Sequence, residues 1–164
     1  MKAIFLAIER RTTRFSMLFA RAMLALAACL GMIQVLSRFV FEIPTEWSEV
    51  LIRFSLIWMV FMGIPEAFRL GSMVSIDLMH RLSPPRFRRF LDGLHALVGM
   101  ALLAVIIWYG WDYAQRGAVQ TMIGLEGVSM FWAYVALPTG GCFAVLGVIG
   151  NFLEPKHREL ETAQ

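Results

Sequence analysis

The sequence predicts an all-α integral membrane protein with four transmembrane helices and with both its N-terminus and its C-terminus in the cytoplasm. Of its 164 residues, 59% are hydrophobic and 16% are charged, and the mean hydropathy is +0.66. This composition is too apolar for an ordinary soluble domain. Four apolar runs are about long enough to cross a ~30 Å hydrocarbon core. We therefore expect one membrane domain over residues 1–164, with spans near residues 15–41, 46–69, 84–114 and 129–153.

The basic residues indicate which segments stay in the cytoplasm. Residues 1–21 contain five lysines and arginines against one acidic residue, Glu9, and residues 69–89 contain five arginines against one, Asp77. The net charge of +3 therefore reflects membrane topology rather than binding to nucleic acid. This orientation also places a set of aromatic residues at the outer ends of the spans, as is common in membrane proteins: Trp47, Trp108, Trp111, Trp132 and Tyr134.

The first span contains a pattern with two interpretations. Residues 26–29 read LAAC, which resembles the cleavage box of a lipoprotein with Cys29 as the new N-terminus. Apolar sequence continues past Cys29 and three further spans follow, so we favour an uncleaved transmembrane helix. Cys29 and Cys142 both lie inside apolar runs, which indicates packing residues rather than a disulfide or a metal site.

The second span begins with a helix start signal and contains two charged residues on one face. Thr45 is suited to the N-cap, and Glu46 and Glu49 fall in the first turn, where the helix dipole favours carboxylates. Arg53 follows Glu49 at i, i+4, so we predict an ion pair that faces the bundle or another protein. The alternative is that Arg53 snorkels to lipid phosphate. Pro65 predicts a kink or an early unwinding near the inner end.

The connection to the third span is basic and amphipathic. Residues 73–82 predict a short helix along the inner membrane surface, with Asp77, His80 and Arg81 on its polar side. Ser83 and the two prolines that follow it are a start signal for the third helix. The outer loop after this helix, residues 115–128, is nearly neutral, since Arg116 opposes Glu126.

The fourth span contains a stripe of small residues on one face. Small residues at this spacing let a second helix approach closely in a membrane. Pro138 predicts a bend in the same helix. The stripe consists of Ala136, Gly140, Ala144 and Gly147.

The polar residues do not form a convincing catalytic, metal or cofactor site, so we expect neither an enzyme nor a cofactor. His80 and His95 could suggest haem ligands of an electron-transfer membrane anchor, but Ser83 and the prolines after it interrupt the helix between them. A transporter that acts alone needs polar groups near the midplane, and here these are sparse. A supporting role in a larger complex is therefore favoured, with a small proton-coupled exporter that uses Glu66 as the alternative.

The order and spacing of these residues resemble the small membrane subunit, the DctQ-like family, of tripartite ATP-independent periplasmic (TRAP) transporters. The resemblance covers nearly the whole chain. Met73 stands where the family often has a histidine, which places in doubt a titrating role there. The residues that carry the resemblance are Glu46, Trp47, Glu49, Arg53, Trp58, Gly63, Arg69, Gly71, Ile76, Asp77, Tyr134, Leu137, Pro138 and Gly140.

The resemblance implies a multi-pass protein of the bacterial inner membrane and a role in uptake of an organic acid. A periplasmic binding protein would deliver the acid to a large membrane subunit, which performs sodium-coupled symport by an elevator mechanism. The small subunit would scaffold the large subunit and help to dock the binding protein. We expect the interface or structural positions to be Glu49, Arg53, Trp58, Gly63 and the small-residue stripe. The docking positions would be Glu42, Glu46, Arg116 and Glu126, unless these charges are merely solvated.

Overall fold

A computed structural model describes residues 2–43, 46–70, 85–122 and 125–153. Four stretches are long and apolar enough to cross a membrane, namely Ile4–Phe39, Trp47–Arg69, Ala96–Gly117 and Phe131–Leu153, so the predicted four-helix membrane fold is confirmed. The cytoplasmic location of the termini stays a prediction. In chain order the elements are α1 (Lys2–Phe39), α2 (Glu46–Leu70), α3 (Pro85–Gly117), β1 (Thr121–Met122), β2 (Leu125–Ser129), α4 (Phe131–Tyr134) and α5 (Ala136–Leu153).

Helix α1 is longer than a membrane span requires. Its 38 residues give a length of about 57 Å, which exceeds even the ~40–45 Å of a bilayer with its headgroups. The basic segment that precedes the predicted first span is part of this helix, which begins at Lys2, and is not an irregular tail. Arg10, Arg11 and Arg14 consequently have fixed positions around a helix.

Helices α1 and α2 pack antiparallel, and two side-chain contacts fix how the helices are aligned along their length. The Ser16 hydroxyl donates a hydrogen bond to the backbone carbonyl of Met62. The rings of Phe19 and Trp58 meet edge to face with centroids 5.6 Å apart. A serine that bonds a neighbouring helix is stabilising in a membrane, because lipid offers its hydroxyl no partner.

Helix α5 lies at the centre of the bundle. Half of its most apolar stretch, 50%, is buried inside the chain, against 17–22% for the other three spans. It contacts α2 on one side and α3 on another, where Leu103 and Val148 form part of a buried apolar cluster with Phe68 and Ala144. The other three helices therefore leave most of their apolar surface for lipid or for another protein.

Pro138 in the fourth span and Pro65 in α2 differ in how they affect their helices. The fourth span is divided at Val135, between α4 and α5, close to Pro138, which has no amide proton to give to the preceding turn; the bend predicted there stays a prediction. Pro65 lies inside α2, which continues to Leu70. The early unwinding that was one of two expectations for Pro65 is therefore wrong.

The loop between the third and fourth spans contains a short hairpin that the sequence analysis missed. Strands β1 and β2 pair antiparallel, with Thr121 opposite Ser129. The Ser129 hydroxyl accepts a hydrogen bond from the amide of Phe131 at 3.1 Å and lies 3.0 Å from the carbonyl oxygen of Gly117, so it links the ends of α3 and α4. Several predicted features lie outside the described residues: the Thr45 cap, the helix at residues 73–82, and the side chains of Glu46, His95 and Glu126.

Candidate functional site

The small-residue stripe of α5 packs against α2 of the same chain. Ala136 and Ala144 are fully buried. A Cβ atom at Gly147 would lie 2.6 Å from the carbonyl oxygen of Pro65, and one at Gly140 would clash with the backbone of Phe61. The close helix approach that the stripe predicts is therefore present, and α2 is its partner. These residues are structural within the chain rather than part of its outer surface.

Gly63 lies on α2 but has a different environment. A Cβ atom added there would meet nothing within 4 Å among the described residues. Helix packing inside this chain therefore does not require a glycine at position 63. Among the predicted interface positions, Gly63 is one that the described part of the chain leaves open to a neighbour.

Trp58 joins three helices. Its indole Nε1 donates a hydrogen bond to the carbonyl oxygen of Trp132 in α4 at 3.0 Å. Its ring contacts Phe19 of α1 and, with centroids 6.3 Å apart, Phe54 of its own helix. Trp58 therefore helps to position the first half of α2 between α1 and the fourth span, because an indole N–H in a membrane needs a hydrogen-bond acceptor.

Glu49 and Arg53 form an ion pair on the surface of the chain. The Arg53 guanidinium donates to the Glu49 carboxylate one helical turn away. The two side chains are 53% and 73% exposed, although both residues lie within the second membrane-spanning stretch. The pair thus faces away from the bundle, where a bilayer or a second protein must cover it.

Two of the predicted docking charges, Glu42 and Arg116, lie at the same end of the bundle as this pair, whereas the side chains of Glu46 and Glu126 lie outside the described residues. Glu42 is exposed in the tight connection between α1 and α2, and its φ of 56° lies in the left-handed region that a non-glycine residue seldom adopts. Ser37 secures this turn, since its hydroxyl donates to the carbonyl of Ile43 at 2.7 Å. Arg116 contacts Asp112 one turn earlier at 2.7 Å, a partner that the sequence analysis did not name.

A buried ion pair at the opposite end escaped the sequence analysis. Glu9 and Arg69 are only 1% and 3% exposed, and Nε of Arg69 lies 3.0 Å from Oε1 of Glu9. The direction of the Nε–H bond is unsuited to a hydrogen bond, so this contact is electrostatic. Thr13 donates to the same carboxylate oxygen at 3.2 Å. Oε2 of Glu9 has no hydrogen-bond donor within the described part of the chain.

Helix α5 completes the surroundings of this pair. A Cβ atom at Gly150 would lie 2.9 Å from Cδ of Glu9, so glycine lets the carboxylate fit between the helices. A sequence signal for the pair exists, because Glu9, Thr13 and Ser16 follow one another at i, i+4 and i+7 on one face of α1. That signal becomes visible only when the segment before residue 15 is known to be helical.

Groups suited to chemistry are sparse among the described residues. The buried polar or charged residues there are Glu9, Thr13, Ser16, Ser48, Ser55 and Arg69. Ser16 and Ser55 bond to backbone carbonyls, and no three His, Cys, Asp or Glu residues of the described ranges lie close enough to hold a metal. The arrangement is suited to packing and surface contact.

The comparisons with known proteins agree with the resemblance predicted from the motifs. The family model of the DctQ component of tripartite ATP-independent periplasmic transporters matches residues 27–156. The small permease protein SiaQ of a sialic acid TRAP transporter from Vibrio cholerae serotype O1 is 32% identical over 112 residues, which are 68% of this chain and 64% of that protein. The permease protein SiaT of a sialic acid TRAP transporter from Haemophilus influenzae strain 86-028NP is 31% identical over 105 residues, 64% of this chain and 17% of that protein.

The match therefore spans slightly under two thirds of the small relative and about a sixth of the long one. The family-model match begins at residue 27, within α1, and continues past the end of α5, so it includes the Glu49 and Arg53 pair, Trp58 and the small-residue stripe. Taken with the four apolar helices, these matches show that this chain is a multi-pass inner-membrane protein and belongs to the small permease (DctQ) family of TRAP transporters.

Proposed function

We propose that this chain is a scaffold that holds a large permease subunit in the membrane and helps a periplasmic binding protein to dock, for ion-coupled uptake of an organic acid. The observation that carries the proposal is the Glu49–Arg53 ion pair, which is exposed on the surface of a membrane-spanning helix. A charged residue that faces lipid near the centre of a span costs ~2.5–3.5 kcal/mol on insertion scales, and less near an interface. A neighbouring protein that covers the pair would remove this cost.

The long relative supports a partnership with a larger permease chain. The segment similar to this chain is 17% of the Haemophilus permease protein, so in that protein it is joined covalently to a much longer polypeptide. A separate small subunit needs a non-covalent surface to occupy the same place. The open position at Gly63 and the exposed pair near the outer end of α2 are suitable parts of such a surface. Both relatives are named as parts of sialic acid transporters, which supports an organic acid as the substrate class.

The first prediction concerns assembly. Glu49→Ala is expected to reduce the large subunit recovered with this chain by about fivefold, because it leaves the Arg53 charge uncompensated under a covering protein. Glu49→Ala with Arg53→Met is expected to recover more than either single variant, since no lone charge remains. The measurement is affinity purification in mild detergent with the copurified large subunit quantified. The pair is exposed in the isolated chain, so thermal unfolding of the chain alone should change little.

Two outcomes would contradict the assembly role. If the single effects simply add in the double variant, the two charges do not act as a pair and Arg53 bonds lipid phosphate instead. If assembly is intact while uptake fails, the pair has a transport role. Asp112→Ala is the matched control, because Asp112 and Arg116 form an equally exposed i, i+4 pair on α3. Substrate or proton flux through vesicles that contain this chain alone would favour the small exporter over the scaffold.

The second prediction concerns docking. Charge reversal by Glu42→Lys with Glu46→Lys is expected to slow uptake about threefold to tenfold at low binding-protein concentration, since rim charges mainly control the rate of encounter. Uptake at saturating binding protein should be nearly unchanged, and raising the salt concentration should shrink the difference between variant and wild type. Glu42→Gln with Glu46→Gln should give an intermediate effect. Unchanged kinetics at low binding-protein concentration would show that these charges are only solvated.

A further inference from the structure

The buried ion pair fixes the depth of the basic part of α1. Arg69 is the last residue of the second membrane-spanning stretch, and Glu9 lies against it. Glu9 is therefore level with the end of that span. Arg10, Arg11 and Arg14 follow within five residues, which is about 8 Å along a helix. They lie on the membrane side of Glu9, but helical side chains point back toward the helix N-terminus, so these long side chains reach the headgroups at the end of the span by snorkelling.

The face of α1 opposite Glu9 combines positive charge with apolar surface. Arg10, Arg11 and Arg14 are all exposed, and with Leu6 and Ala7 they line a shallow groove of about 430 Å³. A second shallow groove of about 380 Å³ shares Ala7 and Arg11 with the first and is otherwise lined by Ile4 and Ile8. We define these residues, together with Phe15 one turn after Arg11, as the basic face of α1.

The basic face suits neither water nor hydrocarbon alone. Ile4, Ile8 and Phe15 are 68%, 55% and 59% exposed, and each would gain by leaving water for the less polar membrane interface or the acyl chains. The guanidinium groups beside them would be costly in hydrocarbon and favourable against phosphate, which arginine can bind through two parallel hydrogen bonds. A helix that presents both kinds of side chain in one strip is typical of the membrane interface.

We propose that the basic face of α1 is a binding site for anionic phospholipid. The phosphate of the headgroup lies in the groove between Arg10, Arg11 and Arg14, and the first acyl carbons contact Phe15, which lies on the membrane side of the arginines. Net negative charge on the headgroup distinguishes this ligand from a zwitterionic lipid, because the positive groups of the latter oppose the arginines. The site anchors α1 at a fixed depth and, through Glu9 and Arg69, also sets the depth at which α2 ends.

The test is lipid binding to the purified full-length chain in mild non-ionic detergent, measured by native mass spectrometry. Phosphatidylglycerol is titrated against the wild type and against Arg11→Gln with Arg14→Gln, with phosphatidylcholine of the same acyl chains as the neutral lipid. Each arginine removed is expected to weaken phosphatidylglycerol binding about fivefold, hence about 25-fold for both. Binding to the wild type should also weaken as salt is raised, because exposed charges are screened.

The matched control is Arg38→Gln with Arg116→Gln, which removes the same charge at the opposite end of the bundle, where both side chains are exposed. This variant should bind phosphatidylglycerol within twofold of the wild type. Equal loss in both double variants would mean that net charge, not this site, attracts the lipid, and would overturn the proposal. The proposal would also be overturned if the wild type bound phosphatidylcholine as tightly as phosphatidylglycerol. This comparison uses only the wild type, so it does not depend on the folding of any variant.

A final arm separates lipid from free phosphate. Inorganic phosphate and glycerol phosphate are added as competitors at millimolar concentration. Failure of both to displace phosphatidylglycerol supports a lipid site, since neither provides the acyl contact with Phe15. Full displacement by either would overturn the proposal in favour of a soluble anion site.

Discussion

Glu9→Gln is expected to destabilise the folded chain by about 3–5 kcal/mol, because it leaves the charge of Arg69 buried without its carboxylate. Arg69 is 3% exposed and lies between helices, so water cannot replace the lost carboxylate without opening the bundle. Glu9→Gln with Arg69→Met removes both charges and is expected to regain most of the lost stability. The measurement is reversible unfolding of the chain in mixed micelles, as a cycle with both single variants and the double variant.

Thr13→Val is the control for this cycle. It removes the hydroxyl that donates to Glu9 and keeps the ion pair, so its cost should be only about 1 kcal/mol. Costs of Glu9→Gln and Arg69→Met that add without coupling would mean that the two charges do not stabilise one another. A loss in the Thr13 variant as large as in the Glu9 variant would assign the effect to disturbed packing of α1 rather than to charge.

The number and order of the spans were predictable because a membrane requires nearly all backbone polar groups to bond within a helix. Hydropathy then locates the helices without knowledge of their contacts. The contact between Glu49 and Arg53 was also predictable, since it depends only on i, i+4 spacing within one helix. The small-residue stripe predicted a close helix neighbour, but the sequence does not specify that Phe61 and Pro65 of α2 fill that place.

The pairing of Glu9 with Arg69 depends on two facts that local sequence does not contain. The helix must continue back past residue 15, and α1 and α2 must pack in the register that also joins Ser16 to Met62. Five basic residues within residues 1–21 favoured a topology signal, and the lone acid among them, Glu9, has no basic residue three or four positions away on the same helix. The hairpin was missed because strands of two and five residues are too short to show a reliable alternating pattern.

The contrast between Gly140 and Gly63 gives the other large expected effect. Gly140→Leu is expected to separate α5 from α2 and to cost more than the ~1–3 kcal/mol of ordinary overpacking, since the first carbon of the new side chain already clashes with the backbone of Phe61. A flexible side chain could move aside, whereas the α2 backbone cannot. The expected result is a lower midpoint of unfolding in mixed micelles. The tryptophan fluorescence should also change, because separation of the helices breaks the hydrogen bond from Trp58 to the carbonyl oxygen of Trp132.

Gly63→Leu is the matched control, because it makes the same change on α2 where the described chain leaves open space. The isolated chain should keep its stability or gain up to about 1 kcal/mol, as leucine favours a helix more than glycine does. If a large subunit packs against this position, as the scaffold role requires, Gly63→Leu should still reduce the copurified large subunit. Equal destabilisation of the isolated chain by both substitutions would show that intolerance of leucine is general to these helices. The special role of the small residues of α5 would then be wrong.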